Sequence, residues 1–168
     1  MTPGSLLGVA IAMTAWAATA RADDTRCGPG LTTVVVDTAA RVMTLCEDGA
    51  AVGEFAVAIG GGGVGKQREG DGKTPLGSYL LGAPRRSSDY GTFIPIGFPT
   101  AHQRKRGFSG GAIGIHGPDR RLRMLGQLAV TLGWTRGCVA VASDDQMKTI
   151  TTWVGQLRRR QALSIEIR

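Results

Sequence analysis

The sequence predicts a mostly β domain, a sandwich or barrel, with one amphipathic helix near its C-terminal end. Three observations predict it. Short runs rich in Val, Ile and Thr recur along residues 31–115, separated by turn-forming residues. Twenty-six glycines are spread through 168 residues, which suits turns and tight strand ends better than helices. Only in the last third does the apolar spacing become helical. No internal repeat and no second domain is visible, and the length suits a single core.

The elements follow in order. Leu31 to Asp37 and Arg41 to Cys46 read as strands joined by Thr38-Ala39-Ala40, because β-branched side chains fit a pleated surface. Glu47-Asp48-Gly49 is a hairpin turn signal, and Ala51 to Ile59 is the next strand. Gly77 to Leu81, Thr92 to Ile96 and Gly111 to Ile115 add three more, the last running into His116. Ser143 caps a helix over 144–159, with Gln146 three residues on and Met147, Ile150, Val154 and Leu157 on one face. Arg158-Arg159-Arg160 closes it with cations, as the helix dipole favours. Leu163 to Ile167 is a final strand.

Ahead of the strands lies an export signal. Leu6 to Ala18 is largely apolar and uncharged, yet shorter than the ~20 residues a bilayer span needs. Ala20-Arg21-Ala22 is a small-residue cleavage pattern, followed by Asp23-Asp24. The reading is a signal peptide over 1–22, cleaved near Ala22, and a mature periplasmic or secreted domain over 23–168. The lack of Lys or Arg before Leu6 leaves an uncleaved anchor or another start codon as alternatives.

The net charge of +7 favours an acidic partner. Nucleic acid is not expected, because aromatics are only 5% of the chain and are not interleaved with the basic residues. An anionic wall polymer fits an exported protein better. Three cysteines in an oxidising compartment leave one over. Pairing of Cys27 with Cys46 would tie the N-terminal arm to the first hairpin and leave Cys138 as the free thiol.

Gly60-Gly61-Gly62-Gly63-Val64-Gly65-Lys66 nearly spells a phosphate-binding loop, but Gln67 stands where Ser or Thr must reach Mg²⁺. No nucleotide is expected. The segment reads as a flexible loop leading to Lys73-Thr74-Pro75-Leu76-Gly77.

The chemistry points to His116 and Cys138. A thiol attacks carbonyls as thiolate, and a neighbouring imidazole can take its proton and hold it as an ion pair. Gly137 allows a tight turn whose backbone N–H groups, its own and that of Cys138, can face an oxyanion. Arg136 could lower the thiol pKa or hold a substrate carboxylate. Against this, one His and one Cys coincide by chance in most chains. His102 sits in an exposed basic loop, Trp134 reads as core or pocket wall, and Ser143 as a cap. Two ligands fall short of a zinc site, so no metal and no other cofactor is expected.

The segments Lys73-Thr74-Pro75-Leu76-Gly77, Gly110 to Gly117 and Trp134-Thr135-Arg136-Gly137-Cys138-Val139-Ala140-Val141 together resemble the L,D-transpeptidase catalytic domain family of peptidoglycan-modifying cysteine enzymes. The resemblance runs from about residue 31 to residue 155 and implies that family's β fold. It implies Cys138 as nucleophile, His116 as general base oriented by a backbone carbonyl, and Gly137 and Cys138 amides as oxyanion hole. Arg136, Thr135, Gly117 and Trp134 would support the substrate. The partners implied are peptidoglycan stem peptides and a wall-attached protein, through 3–3 cross-linking or protein attachment. One position departs: most members carry Arg or Asn two residues after the cysteine, where this chain has Ala140. The Trp-Thr-x-Gly-Cys-x-Ala-Val form is similar to a subgroup, some of whose members hydrolyse such linkages. A carboxypeptidase- or amidase-type hydrolase therefore stays open, as does a non-catalytic basic wall-binding module. Nothing in the sequence speaks to oligomeric state.

Overall fold

The computed structural model describes residues 26–168, so the expected signal peptide and its cleavage point lie outside the described residues. Nine strands form one curled sheet in the order β4-β9-β1-β2-β3-β8-β7-β6-β5. They are β1 Thr33–Asp37, β2 Val42–Glu47, β3 Ala50–Ala58, β4 Gly77–Leu80, β5 Arg85–Ser87, β6 Gly91–Pro95, β7 Gly114–His116, β8 Val139–Val141 and β9 Ser164–Ile167. The helices are α1 Ala101–Lys105, α2 Gln127–Thr131 and α3 Asp144–Leu157, with a 3₁₀ turn over Arg123–Leu125. Among them no helix is long and apolar enough to cross a membrane.

The first three strands form an antiparallel meander, and Asp48 and Gly49 take φ of 51° and 82° in its second turn, as an Asp-Gly hairpin turn requires. β9 returns parallel to β1, and β7 runs parallel to β8. A bridge between Leu81 and Ile96 links the two ends of the curled sheet. Alternation along β1 places Val34 and Val36 in the main core and Val35 on the other face, under the Cys27–Cys46 disulfide. The bond is formed, and it tethers the N-terminal arm to β2. α3 buries Met147, Ile150, Val154 and Leu157 against the sheet interior, with Ser143 accepting from Gln146 N at its start.

Several expectations need correction. Residues 111–113 are not strand, because Ala112 takes a φ of 52° and breaks the extended run before Gly114. His102 lies on a short helix, not a loop, because Thr100 and Gln103 form a reciprocal capping box; it remains exposed. α3 stops at Leu157, with Arg158 at the C-cap donating to the Leu81 carbonyl.

The glycine-rich segment is not a loose loop either. Gly61 N bonds Thr135 O, Gly62 N bonds Gly72 O, and Gly65 N and Thr74 N exchange bonds with Thr74 O and Gly63 O. A Cβ on Gly60 would lie 2.2 Å from Gly72 O, and one on Gly62 2.4 Å from Asp71 O. Glycine here serves close backbone approach.

Candidate active site

β7 and β8 run side by side, with Ile115 opposite Val139 and His116 opposite Ala140. Ile115, Val139 and Val141 point into the main core. The twofold alternation therefore puts His116, Ala140 and, one step earlier, Cys138 on the opposite face. Cys138 and His116 line one cavity of about 800 Å³. Gly114, between them on that face, has no room for a side chain: a Cβ would fall 2.6 Å from the Phe93 ring.

His116 is 1% exposed. Tyr90 stacks on its ring at 3.7 Å between centroids, Phe93 lies nearly parallel at 6.4 Å, and Trp134 meets it edge-on at 5.8 Å. Nδ1 lies 2.6 Å from the Gly117 carbonyl oxygen. A carbonyl only accepts, so Nδ1 carries the hydrogen and Nε2 keeps a lone pair. Burial pushes the His116 pKa below 6.5, with the Gly117 bond and Asp119 opposing.

Cys138 is the free cysteine of the described residues, and its thiol donates to the Ala112 carbonyl at 3.5 Å. Burial pushes the thiol above 9.0, while a Gly114 backbone hydrogen bond and the Lys66 charge pull it down. Both shifts favour the uncharged forms. Burial therefore opposes a resting charge on either side chain.

Thr135, 5% exposed, builds the turn before the cysteine: its hydroxyl donates to Cys138 O at 2.7 Å and accepts from Gly137 N at 3.1 Å. The Gly137 amide, expected to face an oxyanion, is engaged by Thr135 instead. Gly137 itself takes a φ of 117° and packs against Lys73 O. Arg136 is exposed on the cavity wall, and the cation that acts on the thiol is Lys66 instead.

Sequence reasoning missed Lys66 by treating it as part of a failed phosphate loop. It is 4% exposed, pairs with Asp71 at 2.8 Å and donates to Arg68 O at 3.0 Å. Asp71 also accepts from the amides of Gln67, Arg68 and Lys73 at 2.9, 3.0 and 3.0 Å. Burial opposes ionisation of Asp71, but the Lys66 bond and these amides hold its carboxyl well below the usual 3.8. Tyr90 and Phe93 were missed as well. The Asp89-Tyr90-Gly91 turn carries no local signal for a histidine on another strand.

Residues 31–159 match the family model described as YkuD, the L,D-transpeptidase catalytic domain. The chain belongs to the L,D-transpeptidase catalytic domain family. Its fold agrees with solved structures at low identity. Pgp2, a helical cell shape determining protein from Campylobacter jejuni, is 24% identical with a TM-score of 0.65, over 80% of this chain and 46% of that one. Bd1075 from Bdellovibrio bacteriovorus is 21% identical with a TM-score of 0.59, over 81% and 47%. An L,D-transpeptidase from Xylanimonas cellulosilytica is 20% identical with a TM-score of 0.53, over 84% and 62%. The chain thus spans about half the length of the first two. No curated protein matches it in sequence.

For an L,D-transpeptidase domain, Ala140 now has a packing reason. It is fully buried beside Ala58, Ala142, Val130 of α2 and Trp134, on the face it shares with His116. It does not line the cavity. An Asn or Arg there would have to displace α2 or Trp134 and bury a polar group. Ala140→Asn should lower stability by about 2 kcal/mol, read as a shift in urea midpoint.

Acid should destabilise this L,D-transpeptidase domain in two steps. Below pH 6.5 the unfolded chain protonates His116 before the folded one does, so stability falls as pH drops through the folded pKa. Asp71 contributes stability above pH 3.8 that is lost as pH falls further. Urea midpoints from pH 7.5 downward test the first step: His116→Gln should flatten the slope just below pH 6.5.

Proposed function

We propose that residues 23–168, freed of an export signal over 1–22, form a periplasmic or secreted cysteine acyl-transfer enzyme acting on peptidoglycan stem peptides. The observation that carries this reading is the shared cavity: it is lined by His116, at the end of β7, and by Cys138, immediately before the neighbouring β8, and the Gly117 carbonyl fixes the imidazole as a base. Family membership supports the substrate class.

His116 Nε2 takes the thiol proton as Cys138 Sγ attacks the carbonyl of the third, L-configured stem residue. The Cys138 amide faces the oxyanion, and the Lys66 charge offsets the negative charge arising in a dry site. On collapse the imidazolium gives its proton to the leaving amine of D-alanine, and the acyl group stays on sulfur. An amine from a second stem then forms a 3–3 cross-link and restores the thiol; the amine of a wall-attached protein would give protein attachment instead. Lys66, Arg85, Arg86 and Arg136 on the cavity wall outnumber Glu69 and Asp89, which suits the carboxylates of a stem peptide. Trp134 supports the site from behind His116.

Purified muropeptides incubated with the protein and analysed by mass spectrometry test the acceptor. New 3–3 dimers are the expected product. Shortened stems or released protein anchors would assign water as the acceptor and make the enzyme a hydrolase. Unchanged muropeptides would leave a wall-binding module and defeat the proposal. Pgp2 is described as determining helical cell shape, and a role in cell wall biogenesis and cell shape is proposed here on the same ground.

A further inference from the structure

The segment between the histidine and cysteine strands carries a surface that the proposed reaction does not use. Of nine exposed large hydrophobic side chains among the described residues, four fall within it: Met124, Leu125, Leu128 and Leu132, at 100%, 41%, 67% and 56% exposure. The opposite side of α2 is apolar too, with Ala129 and Val130 buried and Val130 packed against Ala58, Ala140 and Ala142. Leu128 on α2, with Met124 and Leu125 before it and Leu132 at its C-cap, thus leaves apolar surface in water between the polar Gln127 and Thr131, and such surface is expected to have a partner.

The charge pattern says which kind. Residues 119–133 contain Arg120, Arg121 and Arg123 against one acid, Asp119, whose carboxylate accepts from the Arg121 amide. Arg123 pairs with Asp144 at 2.7 Å, whereas no carboxylate among the described residues pairs with the guanidinium of Arg120 or Arg121. Apolar side chains beside unneutralised arginines match a surface that offers hydrocarbon and phosphate together.

We propose that this face is a contact surface for an anionic phospholipid bilayer. Met124, Leu125, Leu128 and Leu132 enter the headgroup–acyl boundary, and Arg120 and Arg121 meet lipid phosphates. The inference does not depend on the reaction proposed above.

Flotation of residues 23–168, which contain every described element, with vesicles of phosphatidylcholine alone or mixed with phosphatidylglycerol tests it. The protein should float with the phosphatidylglycerol vesicles, less so as salt rises. Met124→Ser with Leu128→Ser should weaken partitioning at least about tenfold while the melting temperature stays put. Arg120→Gln with Arg121→Gln should remove most of the preference for anionic lipid. Absence of binding at low salt would overturn the proposal. So would binding untouched by both double variants, which would move the contact elsewhere, for instance to Arg158–Arg160. Sedimentation showing a dimer that the Met124/Leu128 variant dissolves, without lipid binding, would assign the face to a second copy instead.

Discussion

Replacing Cys138 with alanine should abolish acyl transfer, lowering turnover by on the order of 10⁴-fold or more while leaving the fold intact. Its thiol makes only weak hydrogen bonds, 3.5 Å to Ala112 O and one with the Gly114 backbone, so the truncation should cost about 1 kcal/mol of stability. His116→Ala should lose activity to a similar degree, because a thiol pushed above 9.0 by burial is almost wholly protonated at neutral pH without a base. The double variant should be no worse than the worse single one, since the two residues act as a unit. Turnover of a stem tetrapeptide and alkylation of the thiol measure both effects. Cys138→Ala activity within tenfold of the parent would contradict the assignment.

The second large effect falls on stability. Gly137→Ala places a Cβ 2.3 Å from the Lys73 carbonyl oxygen and 3.2 Å from Ile113 Cδ1, at a φ of 117°. The close neighbour is backbone, so the turn holding Cys138 or the strap at Lys73 must move. A loss of about 3 kcal/mol or more in urea unfolding is expected, together with activity, because the Thr135 bonds that shape the turn depend on that backbone. Gly155→Ala is the matched control. It lies within α3 with nothing within 4 Å of an added Cβ, and should gain roughly 0.5–1 kcal/mol.

What the sequence revealed of this fold follows from where the information sits. β1, β2, β3 and α3 announce themselves by side-chain periodicity, and Asp48-Gly49 by turn chemistry, because each depends on neighbours in the chain. β5 carries Arg85, Arg86 and Ser87 on an outer edge and shows no apolar rhythm to read. α2 is too short, and too apolar on both sides, to display one face. The glycine-rich strap looked loose because its reason is non-local: Gly60 meets Gly72, and Gly61 meets Gly133 and Thr135. The sequence singled out Cys138 and His116, which the structure places in one cavity, whereas their burial was not legible. Burial of the pair, the Tyr90 stack and the Lys66–Asp71 bond arise from segments distant in sequence. Ala140 likewise reads as a gap in a motif until α2 is seen lying over it.

The most direct test of the central claim is the mass of the intact protein after brief incubation with a purified disaccharide tetrapeptide and an acid quench. The account predicts a covalent adduct on the peptide containing Cys138, with the mass of the tripeptide muropeptide less one water and an equal amount of free D-alanine. The adduct should be absent in Cys138→Ala and scarce in His116→Ala. An adduct on another residue, or D-alanine released with equal efficiency by Cys138→Ala, would contradict it.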